Sequence, residues 1–307
     1  MSFMIQETAI NEYNKLIVDK LGVLTKKPSK SKRASMRRET IFATFESLLN
    51  TFPNENPGQM WRIVEKAHVY SYLQSEGVDM DVFGLKYNIK REILEELFFD
   101  DELISSFESA KQSWKRSSGI AWENFFEGTF ESEDDEIKVV NPRDLKKLLK
   151  GEHINNNEGY PAPLHFFDNE QKKYFESLLK KKDFDLFLLF YSTYHRKWRL
   201  FGLIQCKTSI RDRMKINAST SKDAMNKNLW SILLALDPDS YLRGQYYEMA
   251  KTDWHGVYFM EKEVSVDDNI VRAPIDELQS KILNHANQVL QIITDKPEVI
   301  NSSWRPN

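Results

Sequence analysis

The chain is poor in cysteine and has no long apolar run. Its 307 residues include a single cysteine, which excludes a disulfide framework and indicates a reducing compartment. No apolar run approaches the roughly 20 residues that span a bilayer, and the first residues lack the basic start and apolar middle of a signal peptide. We therefore expect a cytoplasmic protein that has no membrane segment.

Several kinds of site are missing as well. The six histidines are scattered without the spacing of zinc ligands, and the sequence has neither a P-loop nor a G-x-G-x-x-G segment. We therefore expect no nucleotide cofactor. An excess of positive charge is also missing, because the formal net charge is -3. Binding to nucleic acid would then depend on local clusters of basic residues.

The strongest pattern in the chain is a pair of short apolar runs within residues 183–213. The runs cover residues 186–191 and 200–204, and they are short and rich in aromatic or branched residues. Such runs favour buried strands over helices. If the two strands pair as a hairpin, the residue before the first run, Asp185, lies near the residues that follow the second run.

The residues after the second run are Gln205, Cys206 and Lys207. Because side chains alternate along a strand, Gln205 and Lys207 would share one face and Cys206 would occupy the other. A carboxylate, an amide oxygen and an ammonium group would then surround one point. Oxygen ligands suit Mg²⁺, and a neighbouring lysine can hold a water molecule and stabilise negative charge. The pattern therefore predicts a magnesium site for phosphodiester hydrolysis.

This stretch resembles the PD-(D/E)xK nucleases, with Phe184 and Asp185 in place of PD and residues 205–207 in place of (D/E)xK. The segment KTSIRDR, residues 207–213, is similar to the K-T-S-x-R-(x)-D/E-R segment of type II restriction endonucleases that recognise CCGG or CC-x-GG cores. The resemblance implies that Lys207 is catalytic. It also implies that Arg211, Asp212 and Arg213 recognise G·C pairs in the major groove, which suits their hydrogen-bonding groups.

The chain departs from that family pattern at its acidic residues. Gln205 stands where the usual acid would be, and in the CCGG branch the second acid often lies about fourteen residues after the lysine, where this chain has Ser221. Asp223 is the nearest acid and becomes a candidate metal ligand. The expected metal ligands are therefore Asp185, Gln205, Asp223 and the backbone carbonyl of Cys206.

A further candidate acid lies upstream. Residues 113–127 are similar to the helix that precedes the catalytic strand in the same restriction enzymes, which makes Glu123 a catalytic candidate. Ser118 and Gly119 predict the start of that helix. The alternative is that Glu123 is a surface residue beside buried aromatic side chains.

The N-terminal part is expected to be helical up to about residue 110 and to clamp DNA or contact a second subunit. Residues 26–38 are strongly basic and contain Lys32 and Arg33. They form either a flexible loop or an arm that grips phosphates, and we favour the arm. Residues 81–98 faintly resemble a helix-turn-helix, although a pair of packing helices is the alternative. Lys215 is a further candidate DNA contact.

Residues 214–237 predict one helix that begins at Ser219 or Ser221, with Asp223 in its first turn. The whole pattern favours a mixed α/β fold, in which residues 111–307 form a PD-(D/E)xK-like core with a central mixed sheet flanked by helices. The implied protein is a Mg²⁺-dependent type II restriction endonuclease that cleaves double-stranded DNA as a homodimer, because a palindromic target mirrors two-fold symmetry. Two alternatives remain, a methyl-directed or repair nuclease of the same superfamily and a DNA-binding protein without catalytic activity.

Overall fold

The computed structural model describes residues 3–22, 29–78, 101–129, 137–150, 152, 169–192, 197–208, 214–236, 242–295 and 300–306. Two compact units divide the chain, Met1–Trp122 and Glu123–Asn307. The domain boundary expected near residue 110 stays a prediction.

The first unit is helical in the part of the chain that the structure describes. Its helices are α1 (Phe3–Gly22), α2 (Lys30–Thr51), α3 (Pro57–Ser75) and most of α4 (Asp101–Thr129). Aromatic side chains fill the core between them, and the Trp61 ring lies 4.9 Å from that of Phe45 and 5.8 Å from that of Trp122. This aromatic cluster holds the helices together because large rings bury the most apolar surface.

The basic segment is helical where the structure describes it. Ser29 caps α2, and its hydroxyl accepts a hydrogen bond from the Lys32 backbone N–H at 3.3 Å. The expectation of a loop or unstructured arm is therefore wrong from Lys30 onwards. A serine ahead of a polar helix is an ordinary N-cap, but the surrounding basic residues hid it. The segment resembling a helix-turn-helix, residues 81–98, lies outside the described residues.

The second unit contains the end of α4 and a seven-stranded sheet with its flanking helices. Its further elements are β1 (Ile137–Val140), α5 (Pro142–Leu149), α6 (Asn169–Lys181), β2 (Leu186–Ser192), β3 (Lys197–Lys207), α7 (Met214–Met225), β4 (Trp230–Ala235), α8 (Gln245–Asp253), β5 (Gly256–Met260), β6 (Ser265–Asp267), β7 (Ile270–Ala273) and α9 (Ile275–Asp295).

The sheet is mixed, in the order β1-β2-β3-β4-β5-β7-β6. Strands β1, β2 and β3 are antiparallel neighbours, whereas β3, β4, β5 and β7 run parallel and β6 returns antiparallel to β7. The predicted hairpin and the predicted mixed α/β fold are thus confirmed. Two apolar clusters hold the helices to the sheet, one including side chains of α5 and α6 and the other including side chains of α7 and α8.

A bulge in the hairpin of β2 and β3 sets the strand register at the end where Asp185 and Lys207 lie. The pairing shifts between Leu188 and Leu189, so that Leu188 faces Gly202. A Cβ atom at Gly202 would lie 2.8 Å from the Leu188 side chain. Only glycine fits at this position without displacing its neighbour, which is the usual reason for a glycine at a β-bulge.

The prediction for residues 214–237 is wrong. Helix α7 begins at Met214 and ends at Met225, and Trp230–Ala235 forms the strand β4. All six residues of β4 are buried, between parallel neighbours β3 and β5. A parallel strand buried on both faces has a continuous apolar sequence, which periodicity alone does not distinguish from a buried helix.

The remaining elements of the second unit agree with their sequence patterns. Strand β5 covers the second part of the apolar run 254–259 and extends one residue beyond it, and α9 has the apolar spacing of an amphipathic helix. Its buried face includes Leu278, Ile282 and Val289 at spacings of four and seven residues. Among the described residues, no helix is both long and apolar enough to cross a membrane.

Candidate active site

The hairpin of β2 and β3 brings Asp185 and Lys207 together. Asp185 directly precedes β2, and its backbone N–H donates to the Ile204 carbonyl of β3 at 2.9 Å. The Lys207 Nζ lies 2.6 Å from the Asp185 Oδ2 atom. Both side chains keep limited access to solvent, with 18% of Asp185 and 19% of Lys207 exposed. The predicted proximity of the two groups is therefore confirmed, while their catalytic role stays a prediction.

A backbone group also orients the aspartate. The Cys206 N–H donates to the same oxygen, Oδ2, at 2.7 Å. One carboxylate oxygen thus accepts from an amide and an ammonium group. Asp185 Oδ1 makes neither contact, and it is the oxygen that a cation could use. A carboxylate held in one orientation suits a catalytic site, because the reaction requires its groups to be positioned correctly.

Glu123 joins this pair from helix α4. Burial, and to a smaller extent the negative charge of Asp185, raise the pKa of Glu123 to about 7, while Lys207 opposes the rise. The candidate acid therefore lies within electrostatic reach of both groups of the hairpin. The predicted helix start at Ser118 and Gly119 is wrong, however, because α4 runs unbroken from Asp101 to Thr129. A serine and a glycine inside a helix resemble a cap when only the local sequence is considered.

Glu127 is an acid that the sequence analysis overlooked. It lies one helical turn after Glu123, and its charge also raises the pKa of Glu123. The Glu127 carboxylate accepts a hydrogen bond from the Asn141 side chain at 3.0 Å. The four-residue spacing on one helix face was the available signal.

Gln205 occupies a different environment from the one expected. Its side chain is fully buried, and its Oε1 accepts from the Trp254 Nε1 at 2.9 Å. Its Nε2 donates to the Asn217 backbone carbonyl at 3.2 Å. Both ends of the amide are therefore used inside the core, joining β3 to α7 and to Trp254, the residue that follows α8. Nothing in the sequence near Trp254 or Asn217 pointed to this network.

Asp223 lies at the end of α7 and forms ion pairs with two lysines. Its Oδ2 lies 3.1 Å from the Lys227 Nζ and 3.5 Å from the Lys181 Nζ. The hydrogen bond from Lys227 lowers the pKa of the Asp223 carboxyl below its usual range. Asp223 was expected in the first turn of its helix and instead lies in the last, so its proposed approach to the metal site loses its structural basis.

The position fourteen residues after Lys207 is buried rather than acidic. Ser221 is fully buried, and its Oγ lies 2.7 Å from the Oγ of Ser231 on β4. The two hydroxyl groups satisfy each other inside the core. This position is therefore shaped for a small polar side chain, and a carboxylate there would be costly to bury.

Cys206 contributes its backbone to the site while its side chain belongs to the core. Burial raises the pKa of the Cys206 thiol well above its usual range, and the charges of Asp185 and Glu123 act in the same direction. The thiol is therefore neutral and packs as a small core residue.

The residues expected to contact DNA fall into two groups. Arg211, Asp212 and Arg213 lie outside the described residues, so their role stays a prediction. Lys215 is exposed in the first turn of α7, and Lys32 and Arg33 are exposed in the first turn of α2. Their exposure is compatible with phosphate contacts, which need accessible cations.

The donor set fits a magnesium ion. Mg²⁺ is usually held by one or two carboxylates and keeps its other positions for water and substrate phosphate. Asp185 and Glu123 supply two carboxylates, and their repulsion is evident in the raised pKa of Glu123. A cation between them would offset that repulsion. No group of three or more His, Cys, Asp or Glu side chains in the described part of the chain could hold a metal by itself.

Comparisons with known proteins identify the kind of enzyme that this site resembles. Residues 170–289, less than half of the chain, match the model of the BsaWI restriction endonuclease type 2 family. The matched stretch contains Asp185, Gln205 and Lys207. This match supports site-specific cleavage of DNA by a type II restriction endonuclease. A search of curated protein sequences found no match.

Two solved structures are similar to this chain. The crystal structure of the pre-specific restriction endonuclease BsaWI–DNA complex has a TM-score of 0.55 and 22% sequence identity, over 99% of this chain and 98% of that chain. This likeness shows a shared fold. The specific restriction endonuclease AgeI–DNA complex has a TM-score of 0.49 and 13% identity, over 92% of both chains, and we draw nothing from it.

Proposed function

We propose that this protein is a Mg²⁺-dependent type II restriction endonuclease that hydrolyses double-stranded DNA at a palindromic site with a CCGG-type core. The contact between Asp185 and Lys207, 2.6 Å, carries the proposal. It places a carboxylate and an ammonium group at one end of a β-hairpin, beside the half-buried Glu123. The BsaWI family match covers this hairpin and supports the same conclusion.

Asp185 and Glu123 hold the metal in the proposed mechanism. When bound, Mg²⁺ supplies a more acidic water and offsets the negative charge that develops on the phosphate. The Cys206 N–H keeps the Asp185 carboxylate in place. The backbone carbonyl of Cys206 remains a further proposed ligand.

Lys207 acts on the attacking water and on the phosphate. Its ammonium group donates hydrogen bonds that hold the water and stabilise charge on a non-bridging oxygen. The water oxygen then bonds to phosphorus while one ester P–O bond breaks, the attacking water loses a proton to solvent, and the departing ester oxygen takes up a proton from solvent. A cation held by Asp185 would weaken the contact between that carboxylate and Lys207, which would leave the ammonium group available to the water and the phosphate.

Gln205 supports the site and does not ligate the metal, in our proposal. Gln205 lies two positions before Lys207 on the same strand, and its amide is hydrogen-bonded to Trp254 and Asn217. A buried and fully bonded amide fixes the strand end from which the lysine projects. The Thr220 hydroxyl makes a second tie, donating at 3.0 Å to Asp183 just before the hairpin.

Specificity and assembly complete the proposal. Arg211 and Arg213 recognise guanines and Asp212 recognises a cytosine amino group, on the resemblance of residues 207–213 to the CCGG branch. Two copies of the chain act as a homodimer on a two-fold symmetric site in cytoplasmic DNA.

Plasmid digestion tests the proposed activity. With Mg²⁺ the purified protein is expected to give discrete fragments, and EDTA is expected to abolish them. Run-off sequencing of the fragment ends would then show a CCGG-type core at every cut. Binding without any cleavage would instead indicate a DNA-binding protein, and cleavage only of methylated plasmid would indicate a methyl-directed nuclease.

A further inference from the structure

The helical unit contains a polar cavity that has no part in the proposed catalysis. The cavity holds about 420 Å³ and lies among α1, α2 and α3. Its charged and polar lining includes Arg33, Arg37, His68, Ser71, Ser75 and Glu76. Pockets for small molecules usually measure roughly 300–1,000 Å³, so the cavity can enclose a ligand of mononucleotide size.

Positive charge predominates in this cavity. Arg33 and Arg37 lie one helical turn apart on α2, whereas Glu76 is the one carboxylate among the lining residues that the structure describes. Arg37 is half-buried, and its described contacts are the Ser113 hydroxyl at 3.3 Å and the face of the Tyr72 ring at 4.6 Å. Among the described residues, Arg37 has no ion pair with a carboxylate. A half-buried guanidinium normally has an anionic partner, because an unpaired charge is costly to desolvate.

A buried histidine adds an unused polar atom to the same lining. His68 is 1% exposed, and its Nδ1 lies 2.7 Å from the Tyr13 hydroxyl. Burial lowers the pKa of His68 to about 3 and raises that of Tyr13, so the ring is neutral and the phenol protonated. The phenol is the better donor and the imidazole nitrogen the better acceptor. Nε2 then carries the proton, and this atom has no hydrogen-bond partner in the part of the chain that the structure describes.

These groups match one kind of ligand. Guanidinium groups bind phosphate through paired hydrogen bonds, and Ser71 on α3 adds a hydroxyl group to the lining. We propose that this cavity binds the phosphate monoester of a nucleotide. The phosphate would contact Arg33 and Arg37. The proposal is independent of the catalytic site, since the lining residues that the structure describes all belong to the helical unit.

Calorimetric titration of the full-length protein in EDTA tests the proposal. Adenosine 5′-monophosphate is expected to bind, whereas adenosine, which lacks the phosphate, is expected to bind at least tenfold more weakly. A short DNA duplex with and without a 5′-phosphate forms a second arm. Preference for the phosphorylated duplex would assign the site to a DNA end, and equal binding of both duplexes would assign it to the free nucleotide.

Charge-removing variants decide whether the cavity is the site. Arg37→Gln and Arg33→Gln are each expected to weaken nucleotide binding at least tenfold. Arg33 is exposed, so its variant should fold normally even if Arg37→Gln does not, and thermal melting checks both. Lys15→Gln is the matched control, because Lys15 is exposed on α1 and does not line the cavity. The proposal would be overturned if Lys15→Gln weakened nucleotide binding as much as the arginine variants do. It would also be overturned if the protein bound adenosine as tightly as adenosine 5′-monophosphate, or inorganic phosphate as tightly as the nucleotide.

Discussion

The ammonium group of Lys207 and the carboxylate of Asp185 lie 2.6 Å apart, although 22 positions separate them in the chain. Antiparallel pairing of β2 with β3 produces this contact, since Leu186 faces Ile204 at the open end of the hairpin. Both groups are largely buried, so the cost of desolvating them offsets much of their attraction and the pair contributes little to stability by itself. Its position beside Glu123 is better explained by catalysis.

Replacing Lys207 with alanine should remove cleavage and preserve DNA binding. The lysine is proposed to act only on the water and the developing charge, and losing such a group reduces the rate by roughly 10²–10³-fold or more. Plasmid cleavage measures the rate, and a gel-shift assay in EDTA measures binding. Lys181→Ala is the matched control, because Lys181 pairs with Asp223 on the surface. Normal cleavage by Lys207→Ala would refute the site assignment.

Glu123→Gln should stabilise the metal-free protein at high pH. The folded-state pKa of Glu123 is raised from 4.5 to about 7, so the folded state holds a proton that the unfolded state releases between these values. Stability therefore falls as pH rises from about 4.5 to about 7. Melting temperatures should show the variant above the wild type at pH 8, with the difference shrinking towards pH 5.

Asp223→Asn should change the melting temperature in the opposite direction from Glu123→Gln. Lys227 holds the pKa of Asp223 below its usual range, so the charged carboxylate stabilises the fold above its unfolded pKa and loses this effect as pH falls. The Asn variant should therefore melt slightly below the wild type at pH 8. If the melting temperatures of both variants lie below that of the wild type at pH 8, the electrostatic account of Glu123 is wrong.

Gln205→Glu should weaken the fold and leave the magnesium requirement unchanged. The new carboxylate would face the Asn217 carbonyl without a proton to donate, and such a lost buried hydrogen bond costs about 1–3 kcal/mol in the free energy of unfolding. Denaturant titration measures the loss. Trp254→Phe removes the other partner of the amide and should act in the same direction. A lower Mg²⁺ concentration for half-maximal cleavage by Gln205→Glu would instead identify position 205 as a ligand.

Arg211→Ala should relax base discrimination. An arginine that binds guanine through two hydrogen bonds contributes about 1–3 kcal/mol of discrimination against the wrong base. Cleavage rates on oligonucleotides with single substitutions in the core measure this quantity. Lys215→Ala is the contrasting variant, since a phosphate contact weakens binding to all sequences alike and reduces its salt dependence. Unchanged discrimination by Arg211→Ala would exclude it as a base-recognising residue.

The hairpin was predictable because its information is local. Short apolar runs, the alternation of side chains and the polar residues at the strand ends specify β2 and β3 without reference to the rest of the chain. The same local reasoning failed at β4, whose six buried residues have the composition of a buried helix. It failed again at Lys30–Thr51, where basic residues concealed a capped helix.

The sequence by itself determined the residue types of the site: an aspartate, a lysine and a candidate glutamate upstream, in a pattern similar to one group of nucleases. Only the tertiary structure decided what each polar side chain contacts. It brought Glu123 to the Asp185–Lys207 pair, enclosed Gln205 between Trp254 and Asn217, and turned Asp223 towards lysines. The reason is physical: hydrogen-bond partners and desolvation depend on elements far apart in the chain, and no local pattern records them.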